Sequence, residues 1–450
     1  MKTSSYLFGS TLIAALGGLL FGFDTAVISG TTEALETVFE LGKFALGFTV
    51  ASALIGTILG AMVAGPPADR LGRRTTLVWI AVLYFVSAVG SGLAWDWYSL
   101  LFFRFIGGIG VGGASVVSPL YIAEISPARL RGRLVAVTQF NIVFGILLAF
   151  FSNYVIAQLD LREAAWRWMF GVEAFPAAAF FSLLFLTPLG PRWLVSQNRI
   201  DEARAELGRL GSDADSVEHQ IQEIQASLDL AHHTLEEPLF RRAYLTPILL
   251  AVAIAAFNQL SGINAILYYA PQIFKMAGAG ENAALLQAVA VGGTNLVFTI
   301  AAMAVIDHFG RRKLMIVGSI GYILSLTGTA WAFYRFGTDF TALGSTVVLV
   351  SLLVFIASHA FGQGAVIWVF ISEIFPNRVR ARGQALGSFT HWVMCAAISW
   401  TFPVIADWSG GHIFAFYAAM MVLQLLWVLC VMPETKGVPL EQIQKELGIE

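Results

Sequence analysis

The feature that most constrains this chain is a succession of apolar runs, each near twenty residues, separated by loops that carry most of the charge. About 20 such residues, as a helix, cross the hydrocarbon core of a bilayer. Runs of this kind lie near 6–28, 44–66, 75–94, 98–121, 132–157 and 167–187. A second set lies near 243–270, 283–306, 313–335, 342–370, 380–406 and 412–432. Composition agrees, because 12% of the residues are charged and 57% are hydrophobic, against about 25% charged in soluble domains. So little charge cannot cover a soluble fold of 450 residues. Lipid must cover part of the surface. The 43 glycines and the 13% aromatic content suit close helix contacts and interfacial belts. The expected fold is an all-α membrane protein with twelve transmembrane helices.

The first run follows Met1-Lys2 and shows no small-residue cleavage site, and it exceeds a signal-peptide core. It reads as a retained span. Between the two sets the composition changes. Asp201 to Leu230 is charged and free of proline, with Ile221, Ile224 and Leu228 at helical spacing, which predicts amphipathic helices outside the bilayer. Basic residues fix the orientation. One side receives Arg70, Arg73, Arg74, Arg129, Arg131, Arg133, Arg311, Arg312, Lys313, Arg378, Arg380, Arg382 and Lys436, together with the arginines of the central segment. The opposite side has only Lys43, Arg162, Arg167, Lys275 and Arg335 near its loops. The first side is therefore expected to be cytoplasmic and to hold both termini. The expected organisation is a six-helix bundle at 1–190, a cytoplasmic linker at 191–242, a second six-helix bundle at 243–435 and a cytoplasmic tail at 436–450.

The two bundles share motifs. Asp69-Arg70-Leu71-Gly72-Arg73-Arg74 follows the second run, and Asp307-His308-Phe309-Gly310-Arg311-Arg312 follows the eighth. Glu124-Ile125-Ser126-Pro127 follows the fourth, and Glu373-Ile374-Phe375-Pro376 the tenth. Two motifs recurring in the same order indicate a duplicated transporter with its site between the halves. A net charge of −2 leaves no nucleic-acid footprint, and Cys395 and Cys430 sit in apolar runs, against a disulfide framework. No metal cluster, nucleophile triad or phosphate loop is evident, so neither an enzyme nor a cofactor is expected.

The loop at 69–74 resembles the signature of the major facilitator superfamily. Finer motifs resemble its sugar porter family: Gly22-Phe23-Asp24-Thr25-Ala26-Val27-Ile28-Ser29-Gly30, Arg104 ahead of Gly107-Gly108-Ile109-Gly110-Val111-Gly112, and Pro191-Arg192-Trp193. Gln259 with Gly262-Ile263-Asn264, Tyr268-Tyr269-Ala270-Pro271, and Pro433-Glu434-Thr435-Lys436-Gly437 extend the match to nearly the whole chain. The family's usual P-E-S-P-R-W is here Pro188-Leu189-Gly190-Pro191-Arg192-Trp193, which lacks the glutamate. The resemblance implies two six-helix bundles, a monosaccharide and a proton as partners, and a monomer in a bacterial plasma membrane. A facilitative uniporter and a non-transporting sugar sensor are the alternatives.

Asp24 lies about 27 Å along a first helix that enters near Tyr6, and Arg104 about 10 Å along a fourth helix that enters from the other side. The two can share one level. Ionisable residues inside a membrane are costly and mark function, and burial and a cationic neighbour act on an acid in opposite senses. The resemblance makes Asp24 and Arg104 the proton-coupling pair, and Glu173 is a second buried acid. A structural ion pair is the competing reading. A sugar site needs amides for hydroxyls and aromatic rings for the apolar face of a pyranose. The candidates are Phe21, Gln139, Gln259, Asn264, Tyr268, Asn295, Gly364, Trp368 and Trp392. Ser261-Gly262 is expected to break the seventh helix and so bring Gln259 and Asn264 together. Buried amides also join helices, and tryptophans also form belts. Three positions depart from the pattern of the family's proton-coupled pentose carriers: Ile146 and His391 each stand in place of a glutamine, and Asn258 replaces the first of a Gln-Gln pair. A cytoplasmic gate is expected from Asp69, Arg73, Glu124, Arg131, Arg311, Glu373 and Arg380. Within it, Glu124 is expected to pair with Arg311 and Arg380, and Glu373 with Arg73 and Arg131.

Overall fold

Lipid offers no hydrogen bonds, so each apolar run must satisfy its backbone internally, as a helix. The computed structural model describes residues 5–127, 129–159, 161–211, 214–233, 238–376, 378–438, 442–443, 445 and 447–449. The expected tail from 436 onward lies partly outside them. Among the described residues all regular structure is helical. The first half holds α1 (Ser5–Val27), α2 (Thr32–Val38), α3 (Lys43–Val63), α4 (Gly65–Leu71), α5 (Arg73–Gly92), α6 (Trp97–Ile125), α7 (Arg131–Ala157), α8 (Ala165–Gly171) and α9 (Ala174–Leu184). The centre holds α10 (Pro191–Ser196), α11 (Ile200–Arg209) and α12 (Ala214–His233). The second half holds α13 (Leu245–Leu260), α14 (Ile263–Met276), α15 (Glu281–Phe309), α16 (Arg311–Phe336), α17 (Ala342–Phe361), α18 (Gln363–Ile374), α19 (Arg380–Trp408) and α20 (Gly410–Cys430).

Eleven segments among the described residues are long and apolar enough to cross a membrane. The twelfth is the sixth run, which is interrupted between α8 and α9. Pro176 has no N–H to offer the carbonyl of Val172, and Phe175 N donates to that oxygen instead, at 3.2 Å. Glycine and proline set the other breaks. Gly262 takes φ 85°, a left-handed conformation open to glycine, and it separates α13 from α14. Pro271 kinks α14 at Tyr269, where φ is −120° and ψ 17°. The break between α17 and α18 falls at Gly362, where a Cβ would stand 2.9 Å from the Cα of Gly318 on α16.

The chain forms two compact units. The first comprises Met1–Asp24, Ile55–Ile146 and Phe170–Glu236; the second comprises Thr25–Leu54, Leu147–Met169 and Glu237–Glu450. Their boundaries cross α1, α3, α7 and α8 instead of following chain order. Contacts inside the second unit give the reason. A Cβ on Gly47 of α3 would overlap the carbonyl of Trp400 on α19. The Phe44 and Phe48 rings lie 5.2 and 4.9 Å from that indole. Glu33 is ion-paired to Lys275. The core of the first unit gathers Leu77, Tyr84, Tyr121 and Phe180; that of the second gathers Ile254, Phe370, Phe375 and Val428.

The central segment is helical, as its periodicity predicted. Leu207 on α11 packs with Val217 and Ile221 on α12, and Arg204 joins the two helices through Glu218 at 2.5 Å.

Candidate functional site

In the first unit, Asp96 and Ser99 form a capping box that starts α6, with Ser99 N donating to Asp96 Oδ1 at 2.7 Å. Arg104 follows about two turns on. Its Nη1 donates to Asp24 Oδ1 at 2.6 Å, and its guanidinium stands 5.4 Å from the Phe170 ring centroid. Asp24 is 3% exposed, and Arg104 and Glu173 are each 2% exposed. The depth count from sequence therefore brought the right pair together. Gly107 leaves the room, since a Cβ there would press on Ser87 and approach Asp24 Oδ1 at 3.6 Å. Glu173 acts electrostatically on both Asp24 and Arg104 without being hydrogen-bonded to either. Among the described residues, Glu173 Oε1, Arg104 Nε and Tyr84 Oη have no hydrogen-bond partner although all are buried. The cluster thus holds two acids against one guanidinium, with polar atoms left to spare. Such groups call for an explanation.

Of the candidate sugar residues, Phe21, Gln139 and Ile146 belong to the first unit and the other nine to the second. Ile146 is buried, Phe21 is half-buried and Gln139 is exposed on α7. In the second unit, the Gly262 break does what the sequence suggested. Asn264 Nδ2 donates to Gln259 Oε1 at 2.9 Å across it. Gln259 Nε2 donates to Asn258 Oδ1 at 3.0 Å and lies 3.3 Å from both ring nitrogens of His391. The imidazole is 5.1 Å from the Trp368 ring and 5.0 Å from that of Trp392. Gln259 is 0% exposed whereas Trp368 is 41% exposed, so buried amides here adjoin an accessible ring face. His391 belongs to this amide and aromatic group. Tyr268 is buried on α14. Asn295 on α15 accepts from Thr299 at 3.4 Å, one turn further on, and no hydrogen bond from it to the Gln259 group is observed among the described residues. Gly364 lies under the ring of His359, a residue the sequence reading passed over.

The charged loops give each gate acid a partner. Glu124 lies 2.6 Å from Arg73, and Arg73 also holds Asp69 at 2.9 Å. Glu373 lies 2.8 Å from Arg311. Arg131 Nε donates to the Ala123 carbonyl at 3.1 Å, and Arg380 Nε to the Phe375 carbonyl at 3.3 Å. Each acid therefore has an arginine of its own repeat as a partner. The turn explains this: Gly72 and Gly310 take φ 88° and 89°, and the arginine after each is carried back towards the glutamate of the same repeat. The missing glutamate of the first repeat also becomes intelligible. In the second, Glu434 accepts from the backbone N of Arg311 and of Arg312 at 2.9 and 3.1 Å, at the start of α16. Leu189 in the first repeat packs against Leu194 and Val195 instead.

A family model described as "Sugar (and other) transporter" matches residues 10–447. The chain is 41% identical to the D-xylose-proton symporter of Escherichia coli K12, covering 98% of this chain and 96% of that one. It is 39% identical to the glucose transport protein of Synechocystis, covering 96% and 95%. The inward-open structure of the xylose transporter of Escherichia coli matches with a TM-score of 0.87 at 39% identity, over 98% of this chain and all of that one. Twelve hydrophobic segments in two repeats, two of them broken beside clustered amides, define a multi-pass secondary carrier of the major facilitator type. The chain belongs to the sugar transporter family of that superfamily.

Proposed function

We propose that this protein is a proton-coupled monosaccharide symporter that works by alternating access, taking a pentose or hexose such as D-xylose or D-glucose. The observation that carries the coupling is the buried cluster of Asp24, Arg104 and Glu173, with Arg104 2.6 Å from Asp24. One guanidinium balances one carboxylate, so a second acid in a site that excludes solvent needs a proton to stay neutral. A step that separates Arg104 from Asp24 changes how many protons the cluster holds. That is the chemistry a symporter requires.

In the second unit, Gln259 and Asn264 offer amide donors and acceptors to hydroxyls, and Trp368 offers a ring face to the pyranose. The family resemblance adds Phe21 and Gln139 as sugar-contacting residues, and Ile146 and Asn258 as positions that set selectivity by the amides they withhold or shorten. Tyr268, Asn295, Gly364, His391 and Trp392 complete the assignment. The loops at Asp69, Arg73, Glu124 and Arg131, and at Arg311, Glu373 and Arg380, form the gate on the cytoplasmic side of a bacterial plasma membrane, with both termini there.

The test is sugar-dependent proton movement in proteoliposomes of purified protein. D-xylose, D-glucose and D-galactose are added in turn to wild type and Asp24→Asn. Symport requires external alkalinisation with at least one sugar, lost in the variant while sugar counterflow persists. Sugar flux without proton movement in wild type makes the protein a uniporter and Asp24 a structural residue.

A further inference from the structure

A buried relay in the second unit ends on a histidine that the transport reading does not yet use. Ser319 on α16 donates to the carbonyl of Met315 at 2.7 Å, so its oxygen is left to accept. Gln424 Nε2 on α20 donates to that oxygen at 2.8 Å. Gln363 Nε2, at the start of α18, donates to Gln424 Oε1. Gln363 Oε1 is then free to accept, and the Tyr322 hydroxyl lies 3.2 Å from it. Ser319, Gln424, Gln363 and Tyr322 are all 0% exposed.

A backbone carbonyl, which can only accept, therefore sets the sense of every link. The single hydrogen on Tyr322 is donated to Gln363 Oε1. Its other neighbour, His359 Nδ1, is 2.5 Å from the phenolic oxygen, and that contact needs a hydrogen from the ring. A neutral imidazole protonated at Nδ1 keeps a lone pair on Nε2. Nε2 is an acceptor, and it has no hydrogen-bond partner among the described residues.

The position of that lone pair gives it a use. The Cδ2–Nε2 edge of the half-buried His359 ring lies 3.2 Å from where a Cβ on Gly364 would stand, so only a glycine leaves this edge uncovered. Gly364 and Trp368 are four apart and share a face of α18. His391, which touches Trp368 and Gln259, is near enough to act electrostatically on His359.

We propose that His359 is a sugar-contacting, specificity-determining residue whose Nε2 accepts a hydrogen bond from one hydroxyl of the bound monosaccharide, with Tyr322, Gln363, Gln424 and Ser319 as positioning residues that fix its tautomer. The inference rests on the monosaccharide site proposed above. It assigns that site an acceptor with no donor capacity, unlike the amides beside it.

Deoxy and deoxyfluoro analogues of D-glucose and D-xylose, competed against labelled sugar in proteoliposome counterflow, test it. A C–F group cannot donate. At the hydroxyl read by His359, the deoxy and fluoro analogues should lose affinity equally, by about tenfold, as for one hydrogen bond of roughly 1.4 kcal/mol. His359→Phe should weaken the parent sugar by a similar factor and erase discrimination at that hydroxyl alone. Ser319→Ala, four hydrogen bonds away, should shrink the same discrimination and leave the other positions unchanged. If His359→Phe does not assemble, Tyr322→Phe removes one oxygen, frees the tautomer and should have the same selective effect. A fluoro analogue tolerated where the deoxy one is rejected makes the ring a donor and overturns the relay. An unchanged profile in His359→Phe or Tyr322→Phe overturns the contact. Gln259→Ala is the control: full sugar affinity there refutes the site itself, whereas weakened binding there with an unchanged His359→Phe profile refutes only the inference about His359.

Discussion

Replacing Asp24 by asparagine removes the partner of a guanidinium that is 2% exposed. Deleting one side of a buried ion pair ordinarily costs about 3–5 kcal/mol, because the remaining charge is left uncompensated. The structure supplies a reason for a smaller cost here. Glu173 is equally buried, acts on Arg104 electrostatically, and has an Oε1 that no described residue engages. It can become the counter-ion when Asp24 is gone. The single change Asp24→Asn should then cost about 1.5–3 kcal/mol, the worth of a hydrogen bond to a charged group. Glu173→Gln alone removes no hydrogen bond seen at Oε1 and should cost little. The double change leaves Arg104 with no carboxylate and should reach about 3–5 kcal/mol. The expected signature is a coupling of about 1 kcal/mol or more between the two positions, within the range found for residues in one network. Unfolding of purified protein in mixed micelles titrated with SDS, followed by tryptophan fluorescence, gives all four corners at one pH. Additivity within about 0.5 kcal/mol refutes the reasoning. So does a Glu173→Gln change as damaging as Asp24→Asn, since Glu173 would then already be the working partner.

Three further substitutions have outcomes set by local geometry. A Cβ on Gly22 would overlap the carbonyl oxygen of Ile142 on α7, so Gly22→Ala should force α1 and α7 apart at a cost of about 1–3 kcal/mol; an unchanged melting temperature would contradict this. Glu434→Ala strips the acceptor from two N–H groups at the start of α16 and should cost about 0.5–2 kcal/mol, like the loss of any helix cap, in the same thermal assay. Arg204 is 45% exposed where it pairs with Glu218 and Asp201, so water already screens the pair; Arg204→Ala should leave the melting temperature and the initial rate of sugar uptake as in wild type, and a clear fall in either would contradict this.

What the sequence makes legible is depth and local conformation, both of which follow from counting along a chain. The rise per residue put Asp24 and Arg104 at one level, and they lie 2.6 Å apart. Ser261-Gly262 announced a break, and Gly262 makes it. Azimuth is harder, because which face of a helix meets which neighbour is settled by packing. The pairs within each repeat, Glu124 with Arg73 and Glu373 with Arg311, escaped the count for that reason, since the glycine turn at 72 or 310 returns each arginine to its own repeat. The split of the sixth run at Val172–Glu173 was readable in Pro176 but outweighed by the apolar count. His359, Gln363 and Gln424 did leave a signal, as polar residues within apolar runs. Their joint meaning required knowing that α16, α17, α18 and α20 meet at one point.

The two repeats began from one plan and have been put to different chemical uses, and helix continuity explains how. In the first unit α6 runs without a glycine break for 29 residues, Arg104 among them, so the charges stand alone in an apolar setting. That isolation makes a carboxylate sensitive to its one cationic neighbour. In the second unit the equivalent helix is cut at Gly362 and the seventh at Gly262. A cut helix frees backbone groups that must find partners, and side chains next to the cut provide them. Ser261 donates to the Asn258 carbonyl at 2.6 Å and accepts from Ile263 N at 3.3 Å. With the backbone satisfied at that point, Gln259 and Asn264 are left to bond each other and whatever enters beside them. On the function proposed above, a proton site and a sugar site thus follow from the same repeat, according to whether glycine interrupts it.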